Sequence, residues 1–320
     1  MGSHPIALPL LELLSGKMPE ISLVGIISQP DRRSGRGQHL LSNPISAWAL
    51  ENAIPLDRPD KPSDETVAWI QNRQCDIILV MAYGHILRKN VRGAAPLGIY
   101  NLHASLLPRF RGAAPIEAAL ASGVTETGIS LMEVVQGMDA GDVFATQPIA
   151  ISPEDNAESL TQKLSLTARD IVRDQFLSLC HGMLPRRTQD PKKITYCRKL
   201  EKEDRFLDFT QPAKVLLNRI RALSPLPGCI IEVGNECYKI ESTHIISQTV
   251  HSPGTIFLDK ENLCVACGFR EALVIDLIQK PGGKKMPPKL FLQGNCGFLN
   301  AGCVKNHSPM KPFESPVFPF

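Results

Sequence analysis

Residues Asp76 to His103 read DIILVMAYGHILRKNVRGAAPLGIYNLH. Asp76 to Val80 is an apolar run of strand length, and Tyr83-Gly84 turns the chain. Ile86 to Val91 spaces as a short helix, and Gly98 to Leu102 is a second apolar strand leading into polar residues. Two buried strands joined through a helix run parallel, whereas a tight turn returns a strand antiparallel. Working toward the N-terminus, Ile21 to Ile27 is a continuous β-branched run. Helices are expected over Pro44 to Ala53 and Ser63 to Arg73, the second with Ser63 as N-cap and Glu65 early in the helix. Working toward the C-terminus, Thr127 to Val135 and Val143 to Ile151 read as strands around a polar island. Asn156 to His181 then places Leu160, Leu164, Ala168, Ile171, Val172, Phe176 and Leu179 at helical spacing. The expected class is α/β, a Rossmann-like parallel-sheet domain over residues 1–185. A polar, basic linker follows at 186–205. One helix and five short strands over 206–302 suggest a small β-barrel, and a proline-bearing tail at 303–320 is expected to be loose.

The composition excludes disordered and fibrous classes: 320 residues with 43% apolar and 21% charged side chains are enough for at least one full core. Thirty-five Lys and Arg against 32 Asp and Glu leave a net charge of +3, too small to identify a nucleic-acid binder from totals, although the surplus sits in the C-terminal third. Nine cysteines, an odd number mostly inside apolar runs, fit reduced thiols and a cytoplasmic protein. Cys264 and Cys267 form a CxxC without a second pair or a His cluster, so no metal is expected, because zinc takes about four ligands. No apolar stretch reaches the ~20 residues needed to span a bilayer, and no membrane role is expected. Ile6 to Leu14 reads as an amphipathic helix.

Chemistry concentrates where the second parallel strand ends. Ligands of open α/β sheets sit outside the carboxyl ends of strands. Asn101 and His103 are two residues apart and project to one face of that strand. A second polar island, Gly137 to Asp142, carries two carboxylates, Asp139 and Asp142. A carboxylate beside an imidazole favours the charged ring, and Asn101 with a protonated His103 could both donate to an oxyanion, at ~3 to 4 kcal/mol per donor. The bland alternatives are a structural histidine and a simple turn. No GxSxG elbow or Cys nucleophile accompanies these residues, so direct transfer between two bound substrates is the simpler chemistry.

Asn101-x-His103 followed by Ser105-Leu106-Leu107-Pro108, with Asp139 36 residues after the histidine, resembles the signature of folate-dependent formyltransferases. The longer string Asn101 to Pro115 (NLHASLLPRFRGAAP), the loop Gln29 to Gly37 (QPDRRSGRG) and Tyr83-Gly84 resemble the branch of that family acting on methionyl-tRNA. The resemblance runs to about Asn300. It implies catalytic roles for Asn101, His103 and Asp139, and an OB-like form for the barrel. The implied formyl donor, 10-formyltetrahydrofolate, would lie against Met81, Tyr83, Gly84, Ile86, Ser105, Leu106, Leu107 and Pro108. The implied acceptor is initiator methionyl-tRNA, touched by Arg32, Arg33 and Arg36 of the loop and by Lys192, Lys193, Arg198 and Lys199 of the linker. A monomer without metal is expected. The family pattern also implies a first central strand of ~5 to 6 residues running into Gly2-Ser3, which this sequence lacks. The rival readings are a formyltransferase acting on an amino-sugar nucleotide and a 10-formyltetrahydrofolate hydrolase.

Overall fold

The apolar runs of the first half become one layered α/β unit. The computed structural model describes residues 1–34, 39–295 and 297–317. A 3₁₀ turn at Pro5–Ala7 leads into α1 (Leu8–Leu14), β1 (Ile26–Ile27) and the hairpin β2 (Arg32–Ser34) and β3 (His39–Leu41). Then come α2 (Pro44–Glu51), β4 (Leu56–Asp57), α3 (Asp64–Gln71), β5 (Ile78–Val80), α4 (Lys89–Arg92), β6 (Ile99–His103), β7 (Arg111–Gly112), α5 (Pro115–Ser122), β8 (Glu126–Glu133), β9 (Val143–Ala150) and α6 (Ala157–Cys180). β1 pairs parallel with β4, and β5 parallel with β6. β8 and β9 then extend the sheet antiparallel, in the order β5-β6-β8-β9. Asn156 caps α6 by accepting from Ser159 N–H (3.0 Å), and the apolar stripe from Leu160 to Leu179 is buried.

The run Ile21 to Ile27 yields only two strand residues. A strand is held by its neighbours' backbone groups, and β4 reaches only Ile26 and Ile27. On their other side lie Met1 and Gly2: Gly2 N–H donates to Ile27 C=O (3.1 Å), the Met1 amine to Leu79 C=O (2.5 Å), and Met81 N–H to Met1 C=O (2.9 Å). The two parallel pairs are thus joined through the first two residues of the chain.

The second unit holds β10 (Tyr196–Cys197), α7 (Ala213–Leu223), β11 (Cys229–Val233), β12 (Glu236–Ser247), β13 (Ile256–Asp259), β14 (Asn262–Ala266), β15 (Glu271–Gln279), β16 (Lys285–Met286), α8 (Pro288–Gly294) and β17 (Glu314–Ser315). Its main sheet is antiparallel in the order β11-β12-β15-β14-β13, with a register shift in β12 between Ile240 and Thr243 that bends a twelve-residue strand. The units meet where α5 packs on α7. There Arg221 reaches across, Nε donating to Asp155 C=O (2.7 Å) and Nη2 to Ser152 C=O (2.7 Å).

Two expectations need correction. The segment 303–317 is not loose: Val304 and Phe313 are buried, and β17 pairs with β10. The prolines there stiffen an extended strap instead of freeing it. The basic stretch 186–205 is not a free linker either. Arg187 exchanges backbone hydrogen bonds with Val143 (3.0 and 2.9 Å), and β10 lies between β7 and β17 in a three-stranded sheet. Arg186 pairs with Glu133 and Arg198 with Asp204, partners that composition could not show.

Candidate active site

β6 delivers Asn101 and His103 to one face, as its period of two requires, with Asn101 opposite Val80 and Met132 and His103 opposite Ser130. The half-buried Asn101 amide has no hydrogen-bond partner among the described residues. His103 is 5% exposed, and its Nε2 lies 2.8 Å from the Phe110 carbonyl oxygen. That contact requires the Nε2–H tautomer or the imidazolium. Its Nδ1 lies 3.6 Å from Asp139 Oδ2, an ion-pair separation longer than a hydrogen bond. Both ring nitrogens therefore face oxygens, and only the imidazolium offers a proton to each.

Asp139 comes from the β8–β9 connection. Gly112 N–H donates to its Oδ2 (2.8 Å). Gly112 is required there: its φ is +121°, and a Cβ would meet Cys197 C=O at 2.3 Å. Asp139 itself has φ +46° and Phe110 φ +57°, left-handed conformations that cost non-glycine residues energy and gather at functional sites. Beneath them Ser130 Oγ donates to Ser105 C=O (2.7 Å), Leu107 N–H donates to Ser130 Oγ (3.1 Å), and Ser105 Oγ donates to Arg109 C=O (2.7 Å). These bonds fix the loop 105–110. The Cys197 thiol, among these groups, is pushed up to about 12 by burial and by the Asp139 charge, so it supplies no thiolate at neutral pH.

The candidate donor-site residues divide by place. Leu106, Leu107 and Pro108 are half-buried on the loop, while Ser105 is fully buried and engaged beneath it. Met81 is buried, and the Tyr83 ring lies in the core on the far side of the sheet, its hydroxyl unpartnered and pushed up to about 12 by burial. Gly84 adopts φ +79° at the turn, and Ile86 is 83% exposed. Beside it the buried His85 Nε2 has no hydrogen-bond partner. Burial lowers the His85 pKa, and the charges of Arg32, Lys61 and Lys199 lower it further, so three cations from three segments converge on this turn.

Residues 5–173 match the formyl transferase family, and residues 199–295 match the formyl transferase C-terminal domain. The chain belongs to the formyl transferase family. A methionyl-tRNA formyltransferase of Listeria welshimeri is 35% identical over 297 residues, covering 92% of this chain and 94% of its own. The one of Methylobacillus flagellatus is 38% identical over 296 residues, covering 92% and 95%. Among solved structures, the N-formyltransferase from Helicobacter canadensis in complex with folinic acid and dTDP-3-aminofucose superposes with a TM-score of 0.64 at 15% identity, over 86% of this chain and 96% of that one. That last likeness is one of fold. Among the described residues of this formyl transferase, no group of three His, Cys, Asp or Glu gathers as a metal site, and no helix is long and apolar enough to cross a membrane.

The candidate tRNA residues also divide. Arg32, Lys192, Lys193 and Lys199 are exposed. Arg36 lies outside the described residues, as does the Arg33 side chain. Arg198 points inward: it is 14% exposed, and its Nη1 (2.7 Å) and Nη2 (2.5 Å) grip Asp204, which Arg219 Nη2 also reaches (2.8 Å). Its place beside exposed lysines gave no sign of that partner, because Asp204 is six residues away on a 3₁₀ turn.

Sequence reading also missed Gln189. Its Nε2 donates to the carbonyls of Asp139 (2.8 Å) and Gly141 (2.8 Å), and its Oε1 accepts from Nε (3.1 Å) and Nη2 (2.9 Å) of the buried Arg111. It thereby ties the Asp139 turn to the Phe110–Gly112 segment. No local signal marks it: the bridge Val143–Arg187 just before it joins distant segments and shows only in three dimensions.

Proposed function

We propose that this formyl transferase moves the formyl group of 10-formyltetrahydrofolate onto the α-amino group of initiator methionyl-tRNA, by direct attack of the amine, in the cytoplasm and as a monomer. The observation that carries the reading is the convergence of a free amide, an imidazole and a carboxylate: Asn101 two residues from His103 on one face, and His103 Nδ1 3.6 Å from Asp139 Oδ2. The named relatives, similar along 92% of the chain, favour methionyl-tRNA as acceptor.

The bound folate supplies an activated formyl carbon. An α-amine with a pKa of about 8 is partly neutral at physiological pH and is a competent nucleophile. Asn101, with its N–H groups unspent, donates to the oxygen on which charge develops, a contribution of ~3 kcal/mol for one preorganised donor. His103 has Nε2 committed to Phe110, so its part lies on the Nδ1 side, where with Asp139 it receives the proton lost by the attacking amine. That proton is returned to the folate nitrogen as the carbon–nitrogen bond of the donor breaks. The strained backbones of Asp139 and Phe110, locked by Gly112 and the Ser105–Ser130 bonds, hold these groups in place before substrate arrives.

Ile86, Leu106, Leu107 and Pro108 form the apolar side of the donor cleft. Arg32, Lys61, Lys199, Lys192 and Lys193 receive the tRNA backbone, with affinity that falls steeply with salt. The test incubates the full-length protein with 10-formyltetrahydrofolate and either methionyl-tRNA or an amino-sugar nucleotide. Formylation of the tRNA alone is expected. Transfer to the sugar alone ends the proposal, and folate release with neither acceptor identifies a hydrolase.

A further inference from the structure

We propose that Thr195 is a positioning residue for the transfer step: it holds Phe110 in its left-handed conformation and so aims the carbonyl that meets the His103 ring. Thr195 stands in the basic stretch between Lys193 and Lys199. It is half-buried, and it joins that stretch to the loop after β6.

In an extended strand the N–H and C=O of one residue point to the same side, and successive residues face opposite neighbours. The segment Phe110 to Ala113 follows this rule, with β10 along one edge and the catalytic pair along the other. Arg111 N–H donates to Thr195 C=O (2.9 Å) and Ala113 N–H to Cys197 C=O (3.1 Å), both toward β10. Phe110 C=O and Gly112 N–H face the opposite way, to His103 Nε2 (2.8 Å) and Asp139 Oδ2 (2.8 Å). Phe110 N–H alone breaks the alternation. The φ of +57° parts it from its own C=O, and it donates to Thr195 Oγ1 (2.9 Å).

A left-handed residue other than glycine persists only where its surroundings over-determine it. Thr195 supplies two such constraints on successive amides: its hydroxyl takes Phe110 N–H and its carbonyl takes Arg111 N–H. The peptide joining Phe110 to Arg111 is trans, so fixing its N–H fixes its C=O in the opposite direction. A carbonyl in that place accepts from Nε2–H, and in the neutral ring a proton on Nε2 leaves Nδ1 bare. Nδ1, 3.6 Å from Asp139 Oδ2, is thereby the nitrogen free to take the amine proton. Without the hydroxyl, Phe110 N–H is left unpaired. The peptide then turns toward the ordinary right-handed conformation, and the ring loses the contact that selects its tautomer.

The inference rests on the part given to His103 under the proposed function, and one of its two readouts needs no acceptor. Ring-nitrogen NMR of protein carrying isotope-labelled histidine, with His103 assigned by its loss in His103→Ala, is expected to show the Nε2–H tautomer above neutral pH. Thr195→Val and Thr195→Ala should mix the two tautomers and lower kcat by up to ~10², as displacements near 1 Å do. KM and the salt slope of tRNA binding should not move. Thr195→Ser keeps the oxygen and should restore both the tautomer and kcat. If Thr195→Val does not fold, the Ala and Ser variants carry the comparison. A single tautomer and full kcat in Thr195→Ala overturn the proposal, whatever happens to Tm. A loss of tRNA affinity with kcat intact also overturns it, and makes Thr195 an RNA contact. Mixed tautomers with full kcat overturn more: they remove the role of His103 on which the proposed function relies, and Thr195 with it.

Discussion

Arg198 separates a structural from a nucleic-acid role, and Arg198→Ala tests it. The guanidinium makes two short bonds to Asp204, whose side chain is 2% exposed, and Nε donates to Pro312 C=O (3.1 Å). Its central carbon also lies 5.3 Å from the centre of the Phe313 ring of the strap. Breaking a buried ion pair costs ~3–5 kcal/mol when it strands a charge. Asp204 retains Arg219 Nη2 at 2.8 Å and Glu201 N–H at 2.7 Å, so a smaller cost of ~2–3 kcal/mol is expected. At ~2–4 °C per kcal/mol for a domain of 150–250 residues, Tm should fall by ~4–12 °C. Arg198→Lys should recover little of this, because an ammonium cannot fork across a carboxylate. Binding of methionyl-tRNA, followed by filter retention across a salt series well below Tm, should keep its slope. A phosphate contact would instead lower the slope by about one and leave Tm unchanged. That pattern would refute the inward placement of Arg198. Changing the exposed pair Lys192 and Lys193 both to Ala is expected to lower the slope by about two and leave Tm unchanged.

Asp139→Asn should lower kcat by ~10²–10⁴, the range for a positioned general base, while the Kd for tRNA stays within twofold; a matching loss of binding would mean the carboxylate holds the acceptor. Gln189→Ala removes the tie between the Asp139 turn and Arg111 and should cost up to ~10² in kcat with KM little changed, as displacements near 1 Å do. A rise in KM alone would place Gln189 at the substrate surface. The Met1 amine gives a pH signature. Its pKa falls from 8.0 unfolded to about 6 folded, so above pH 8 both states are neutral and nothing is lost. Between pH 8 and 6 the unfolded chain binds the extra proton, and stability drops as pH falls, by ~1.4 kcal/mol per unit. Acetylating Met1 should remove that slope in urea melts; an unchanged slope would assign it to other groups.

How much of this was legible depended on the range of the interactions. The β5–α4–β6 unit, α6 and the five strands of the second sheet are written in local periodicity, and their bounds shift by a few residues at most. Asn101 and His103 were legible because a period of two is a rule about neighbours, and Asp139 only through a family spacing. Ile21 to Ile27 misled because a β-branched run is strand only where an edge meets it, and β4 meets two residues. Arg198 and the strap misled because charge and proline content describe exposure only when no partner exists, and theirs lie on other segments: Asp204, and the Arg109 guanidinium that holds Glu314 at 2.8 Å.

Those failures share one cause, and it bears on how the site works. Asp139 is fixed by Gly112; Gly112 is fixed against Cys197 of β10, and β10 is sandwiched by β17. Glu314 of β17 accepts from Arg109 and from Ser122 Oγ (2.9 Å), and Arg109 stacks over Phe110, whose carbonyl meets His103. The stretches that composition marks as linker and tail are thus the outer strands around the reacting groups. If this chain of contacts sets the geometry, Glu314→Gln, which keeps size but weakens the Arg109 bond, should lower kcat with Tm nearly unchanged, since exposed ion pairs contribute at most ~1 kcal/mol. A loss of Tm without loss of kcat would show that the strap serves stability alone.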